Sequence, residues 1–258
     1  MNIFLFLAGG ICIFLSTALA LKWRKRASET EKLLNHTTDK LEQLQQQFER
    51  FAPADLVERL AHNTQPIEPE RRTVTVLFAD LVGFTHMCDQ LDPAVTVNIL
   101  NGYFQRMSEA ILFHQGRVTE LIGDGILALF GALEHNPWQG QDAVKAGFAM
   151  RQAMEVYNRH LRERGLPELA IGIGIHQGEV LAGVMGNNDL SKFGVVGDTI
   201  NVAARVEALT RLHGVDLLVT EEVQQGLDDR YELREMPATE VKGKPYPIVT
   251  YHVVSIRE

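Results

Sequence analysis

The chain has 258 residues, of which 45% are apolar, enough for one domain with a sizeable core plus appendages. Its 25 basic and 33 acidic residues give a formal charge of −8, which argues against general nucleic-acid binding, a task that needs clustered basic charge. The two cysteines, Cys12 and Cys88, have no metal-ligand spacing and offer no disulfide framework, so the soluble part suits a reducing cytoplasm.

In chain order, Ile3–Leu21 comes first: nineteen residues without a charge, eleven of them Leu, Ile or Phe. These side chains favour insertion by about −3 to −6 kcal/mol, and the length spans a bilayer core. A cleaved signal peptide would carry positive charge ahead of the apolar run. Here Lys22, Arg24, Lys25 and Arg26 follow it. Residues 1–22 are therefore expected to be a single-pass cell-membrane anchor, with everything after Lys22 in the cytoplasm. Residues 23–62 read as a helical transducer. In it Leu34, Thr37, Leu41, Leu44, Phe48 and Phe51 follow an a/d heptad pattern, which predicts a short two-stranded coiled coil. Residues 63–72, with two prolines and several charges, read as a linker into a domain over 73–258.

Thr73–Ala79 alternates and is β-branched, so it predicts a strand closed by Asp80. Pro93–Gln115 has apolar residues at helical spacing and ends at Gly116. Arg117–Ile122 and Ile126–Phe130 flank Gly123-Asp124-Gly125, a hairpin signal. Asp142–Arg164 predicts a helix, and Leu169–Ile175 and Val180–Val184 predict two strands. Thr199–Leu212 predicts a helix, with Asp198 as its cap. Val215–Val219 and Ile248–Val254 predict two closing strands. The glycines of IGIGIHQG lack dinucleotide-loop spacing and read as strand, while His176 and His213 read as structural or surface residues. The first six elements run β-α-β-β-α-β, which predicts an α+β, ferredoxin-like layer. In that topology Asp80 and the Asp124 turn meet at one end of the sheet. Two carboxylates brought together repel, unless a proton or cations intervene, and a pair of Mg²⁺ or Mn²⁺ ions resolves this. Gly83 and the amides from Leu81 to Thr85 can face phosphate oxygens. Taken alone, both aspartates also read as ordinary turn residues.

Three ordered blocks, FADLVGFT at 78–85, LIGDGILALF at 121–130 and VVGDTINVAARVE at 195–207, resemble the signatures of class III nucleotide cyclases. EVKGK at 240–244 resembles the family's carboxy-terminal lysine block. The resemblance implies a two-metal enzyme, a phosphorus–oxygen lyase working as a head-to-tail homodimer. It implies that Asp80 and Asp124, with the Leu81 carbonyl, bind the metals. Asn201 and Arg205 match the pair that orients the ribose and stabilises the transition state, and Lys242 matches a triphosphate contact. Gly83, Phe84 and Thr85 fall in the phosphate-facing stretch. Two positions read the purine in the family. Glu120 matches guanylyl cyclases, where a carboxylate accepts from guanine N1–H and N2–H₂, whereas Gly194 departs from both guanylyl and adenylyl patterns. A GTP cyclase is therefore favoured, with ATP as the alternative substrate. A pyrimidine cyclase and an inactive membrane-tethered regulator are the further readings. The regulator would be expected to lack Asp80, Asp124, Asn201 or Arg205, all of which are present.

Overall fold

The computed structural model describes residues 69–186, 191–240 and 246–257. Of the chain ahead of them it describes only 32, 34, 36, 38 and 40, which are helical. The expected anchor Ile3–Leu21, most of the heptad segment and Lys242 lie outside the described residues. Among the described residues no helix is long and apolar enough to cross a membrane.

The domain begins with β1 (Glu70–Leu81), α1 (Phe84–Cys88), α2 (Pro93–Phe113), β2 (Arg117–Ile122), β3 (Gly125–Phe130) and α3 (Gln139–Glu163). It continues with β4 (Ile171–Gly186), β5 (Ser191–Val196), α4 (Asp198–His213), β6 (Leu217–Thr220), α5 (Glu221–Gln224), β7 (Tyr231–Glu235) and β8 (Thr250–Ile256). The strand order is β2-β3-β1-β4-β6-β8-β7, with β5 paired to β4. Strands β2, β3, β1 and β4 are antiparallel neighbours and, with α2 and α3, form the ferredoxin-like layer expected from the element order. Strand β6 joins parallel to β4 and carries the sheet onward to β8 and β7.

Strand β1 is central and covered on both faces. Leu77, Ala79 and Leu81 pack with Tyr103, Met107 and Ile111 of α2 and Met150 of α3. Val74 and Val76 pack with Val180 and Ala182 of β4, Val195 of β5 and Ala203 of α4. Burial on both faces explains why its sequence is nearly continuous in apolar side chains.

Local chemistry sets the element ends. Asp92 caps α2 by accepting from the Ala94 N–H at 2.8 Å, with Pro93 at the first helical position. Helix α2 stops where Gln115 takes a left-handed φ of 64° and the Gly116 N–H reaches back to the Ile111 carbonyl. In α4 the cap position is Gly197, which has no side chain to offer, so Asp198 is not the cap. It is the first helical residue, 3.9 Å from Arg205 Nη1.

Three other expectations change. Strand β1 runs on through Asp80 to Leu81. The two strands expected over 169–184 are one strand of 16 residues, because Gly178 stays paired, opposite Val74. Strands β5 and β7 and the two short helices carried no readable period.

The glycines of IGIGI let α4 lie directly on β4. A Cβ at Gly174 would sit 2.1 Å from the Glu207 backbone nitrogen and 2.6 Å from the Ala203 carbonyl oxygen. Backbone atoms cannot rotate away as a flexible side chain can. Gly174→Ala is expected to lower unfolding stability by about 2 kcal/mol or more, read from the shift of the urea midpoint at unchanged slope.

Candidate functional site

Asp80 lies one residue from the end of β1, opposite Gly172 of β4. The β2–β3 hairpin closes with Ile122 paired to Gly125, leaving Gly123 and Asp124 as a two-residue turn. Gly123 supplies the left-handed φ of 63° that so tight a turn needs. The register of β1 on β3 then carries Asp124 to Asp80. Gly125 lies beside Asp80: a Cβ there would come 3.1 Å from the Ile122 carbonyl oxygen and 3.4 Å from Asp80 Oδ1.

The two carboxyl groups are close enough to share a hydrogen bond. Partial burial, followed by repulsion from Asp124, raises the Asp80 pKa, while Arg211 and the Leu81 N–H pull the other way. Arg211 Nη2 donates to Asp80 Oδ2 at 3.2 Å. The same guanidinium donates to Glu207 Oε1 at 3.2 Å and Oε2 at 3.3 Å. The Glu207 side chain is only 3% exposed. Burial pushes its pKa up to about 7, against the pull of Arg211 and with added repulsion from Asp80 and Asp124. Tyr103 of α2 is fully buried and its hydroxyl has no hydrogen-bond partner. Burial and the charges of Asp80, Asp124 and Glu207 raise its pKa. The donor set around Asp80 and Asp124 is all oxygen and short of positive charge, which fits a hard divalent cation. Among the described residues no group of three or more His, Cys, Asp or Glu is arranged to hold a metal, so the fit rests on the two aspartates and backbone oxygen.

Leu81 ends β1 with its side chain buried. The Val82 N–H is taken by the Ala170 carbonyl at 2.8 Å, so the amides from 81 to 85 are not all open to a ligand. Gly83 has φ 71° and open space on its Cβ side, at the entry to α1. The Phe84 side chain packs on the core, leaving its backbone as the group that could face a phosphate, while Thr85 is exposed. Glu120 sits on β2 opposite Leu127, just past a bulge. Gly194 is buried in β5 opposite Gly183, and a Cβ there would meet Met185 Cε at 2.8 Å, so the neighbouring methionine already fills that space.

Asn201 and Arg205 lie on α4 but not at Asp80. From Arg211, which does reach Asp80, Arg205 is about 9 Å and Asn201 about 15 Å back along the helix axis. Asn201 is exposed, and Arg205 Nη1 is buried without a hydrogen bond. One copy of the chain therefore holds both predicted halves of the site but does not bring them together. Sequence reasoning missed Tyr103, Glu207 and Arg211. The signal was the Glu207–Arg211 spacing of four on a helix, which reads equally well as a solvated surface pair.

Residues 67–255 match the family model described as the adenylate and guanylate cyclase catalytic domain. An adenylate cyclase of Anabaena cylindrica is 33% identical over 237 residues, which cover 88% of this chain and 46% of that protein. The guanylyl cyclase Cya2 is similar in structure with a TM-score of 0.70 at 34% identity, covering 74% of this chain and 96% of that one. The adenylyl cyclase CyaB from P. aeruginosa gives a TM-score of 0.69 at 28% identity, covering 74% and 98%. The chain thus spans less than half the length of the Anabaena relative.

Glu207 gives a pH dependence whose sign follows from its raised pKa. An ordinary carboxyl near 4.5 that titrates at about 7 when folded adds stability below 4.5, and that stability is lost as pH rises through 7. In chelator, the unfolding midpoint is expected to fall between pH 4.5 and 7.5. Glu207→Gln should flatten that fall, measured by thermal melts across the range.

Proposed function

The chain belongs to the adenylate and guanylate cyclase catalytic domain family, and we propose that it converts a purine nucleoside triphosphate, GTP in preference to ATP, to a 3′,5′-cyclic nucleotide and pyrophosphate. The observation that carries this is the pairing of Asp80 with Asp124 at one end of the sheet, with Asn201 and Arg205 on a helix whose reach falls short of them. A second copy, placed head to tail, would complete the site. Leu121 and Ile122 beside the Asp124 turn, and Leu212 on α4, are each more than half exposed, which supports an apolar contact there.

In this reading Asp80, Asp124 and the Leu81 carbonyl hold two divalent cations, Mg²⁺ or Mn²⁺. When bound, these lower the pKa of the ribose 3′-hydroxyl and neutralise phosphate charge. The 3′-oxygen bonds to the α-phosphorus as the bond to the β-phosphate oxygen breaks. Arg205 of one copy meets charge developing on the α-phosphate, and Asn201 beside it on the helix orients the ribose. Lys242 contacts the triphosphate, and the backbone from Gly83 to Thr85 faces its oxygens. Phosphoryl transfer of this kind depends mostly on positioning and electrostatics. Glu120 accepts from guanine N1–H and N2–H₂, while adenine would set its N1 lone pair against the carboxylate. Gly194 offers the base no side chain, so base choice rests on Glu120. The ATP reading draws support from the adenylate cyclases among the relatives.

We place the anchor in residues 1–22 and the helical transducer in 23–62, with the catalytic domain on the cytoplasmic side of the cell membrane. Holding two copies on one membrane through a paired helix raises their effective concentration and favours the dimer.

Three outcomes test this reading. Arg205→Ala and Asp80→Asn are each expected to lower turnover by roughly 10²-fold or more. Mixed in equal amounts and allowed to exchange, the two inactive variants should recover about a quarter of wild-type activity, because half the dimers then carry one intact site of two. Absence of recovery, with exchange shown by a tag pull-down, would sink the shared-site dimer. With GTP and ATP supplied separately in Mg²⁺ and in Mn²⁺, cyclic GMP should dominate by mass, and Glu120→Lys should lower GTP use by roughly tenfold or more. Cyclic AMP as the main product would overturn the role of Glu120.

A further inference from the structure

Arg211 has no part in the reaction as proposed, yet its guanidinium lies against the carboxylate at the centre of the site. It donates through Nη2 at 3.2 Å and Nη1 at 3.5 Å to Asp80 Oδ2. It also bridges both oxygens of Glu207. The two anchors differ in kind. Glu207 is buried, with its backbone nitrogen against Gly174, so it cannot leave. Asp80 is a quarter exposed and Arg211 is 40% exposed, so the Asp80 contact is on the open side. Arg211 also sits in the last turn of α4, just ahead of Gly214 at φ 64°, where the helix has already stopped. The guanidinium can therefore give up Asp80 while keeping Glu207.

A divalent cation arriving at Asp80 and Asp124 would meet a fixed positive charge on one of its ligands. Like charges a few ångströms apart repel by several kcal/mol at the effective dielectric of a partly buried site. Asp80 and Asp124 without any positive charge would repel each other for the same reason. We propose that Arg211 is a stand-in cation: it holds Asp80 in place while the carboxylate pair is empty and withdraws onto Glu207 when a divalent ion binds, so that ion affinity is set by competition with the chain's own guanidinium. This rests on the reading of Asp80 and Asp124 as the cation ligands. Arg211 is a positioning residue here, and Glu207 is the carboxylate that receives it.

Binding of Mn²⁺ to the full chain, without nucleotide, tests this through the loss of free-ion signal in electron paramagnetic resonance. Arg211→Gln is expected to bind Mn²⁺ at least about threefold more tightly than the wild type. It should melt at a lower temperature in chelator, and Mn²⁺ should raise its melting temperature by more than it raises that of the wild type. Asp80→Asn should lose Mn²⁺ binding by about tenfold or more. Equal or weaker binding by Arg211→Gln, with binding lost in Asp80→Asn, would leave the cation ligands standing and overturn the role of Arg211. Wild-type binding by Asp80→Asn would overturn the ligand assignment and the inference with it. If Arg211→Gln does not fold, Arg211→Lys takes its place. Lysine keeps the charge on Glu207 but cannot fork across two carboxylates. It should gain about twofold in affinity, and no gain would overturn the proposal.

Discussion

The close approach of α4 to β4 governs the rest of the domain. Gly172 and Gly174 have no side chains to hold the helix off, so its backbone rests on the strand at Glu207. That contact puts a carboxylate and an arginine from one helix over Asp80 on the neighbouring strand. It also fixes how far Asn201 and Arg205 stand from the same aspartate. A helix raised by the thickness of one methyl group would break the first arrangement and loosen the second. The glycines that look like a nucleotide loop in the sequence serve as a bearing surface between two elements.

Electrostatics at the site follow from that packing. Three carboxyl groups, Asp80, Asp124 and Glu207, act on one another, and one guanidinium offsets two of them. Burial dominates at Asp80 and at Glu207, so both favour the protonated form more than an exposed carboxyl would. The buried Tyr103 hydroxyl feels the same negative field from the other side of the sheet. An arrangement this short of positive charge is well matched to divalent cations.

Much of this was legible in the sequence, and the parts that were not have physical reasons. The period of α2 and α3, the glycine turn at Asp124 and the element order carry the ferredoxin-like layer, because each is a local signal. Strand β4 looked like two because His176-Gln177-Gly178-Glu179 interrupts its apolar run, although the backbone ladder continues through it. Strand β7, YELRE, has one buried residue and no alternation to read. Asp80 and Asp124 stood out because each ends an apolar run. Glu207 and Arg211 did not, because a glutamate and arginine four apart on a helix nearly always face water. Only the crossing of that helix over β1 gives them another partner, and no local pattern encodes a crossing.

The far end of β1 bears on the same aspartate in a different way. Strand β3 stops at Phe130, and beyond it the side-chain amide of Gln139 takes the place of a strand, accepting from the Thr75 N–H at 3.0 Å and donating to the Thr73 carbonyl at 3.1 Å. Arg72 adds a bond to the Leu133 carbonyl at 2.9 Å. From Glu70 to Asp80 the strand is about 33 Å long. A slip of one residue anywhere along it would turn Asp80 to the opposite face and away from Asp124. The amide at Thr73 and Thr75 and the guanidinium of Arg72 therefore act as a register stop for a carboxylate about two nanometres further along the strand. A push or pull along β1 is therefore taken up by these bonds at its start before it can change the register of Asp80.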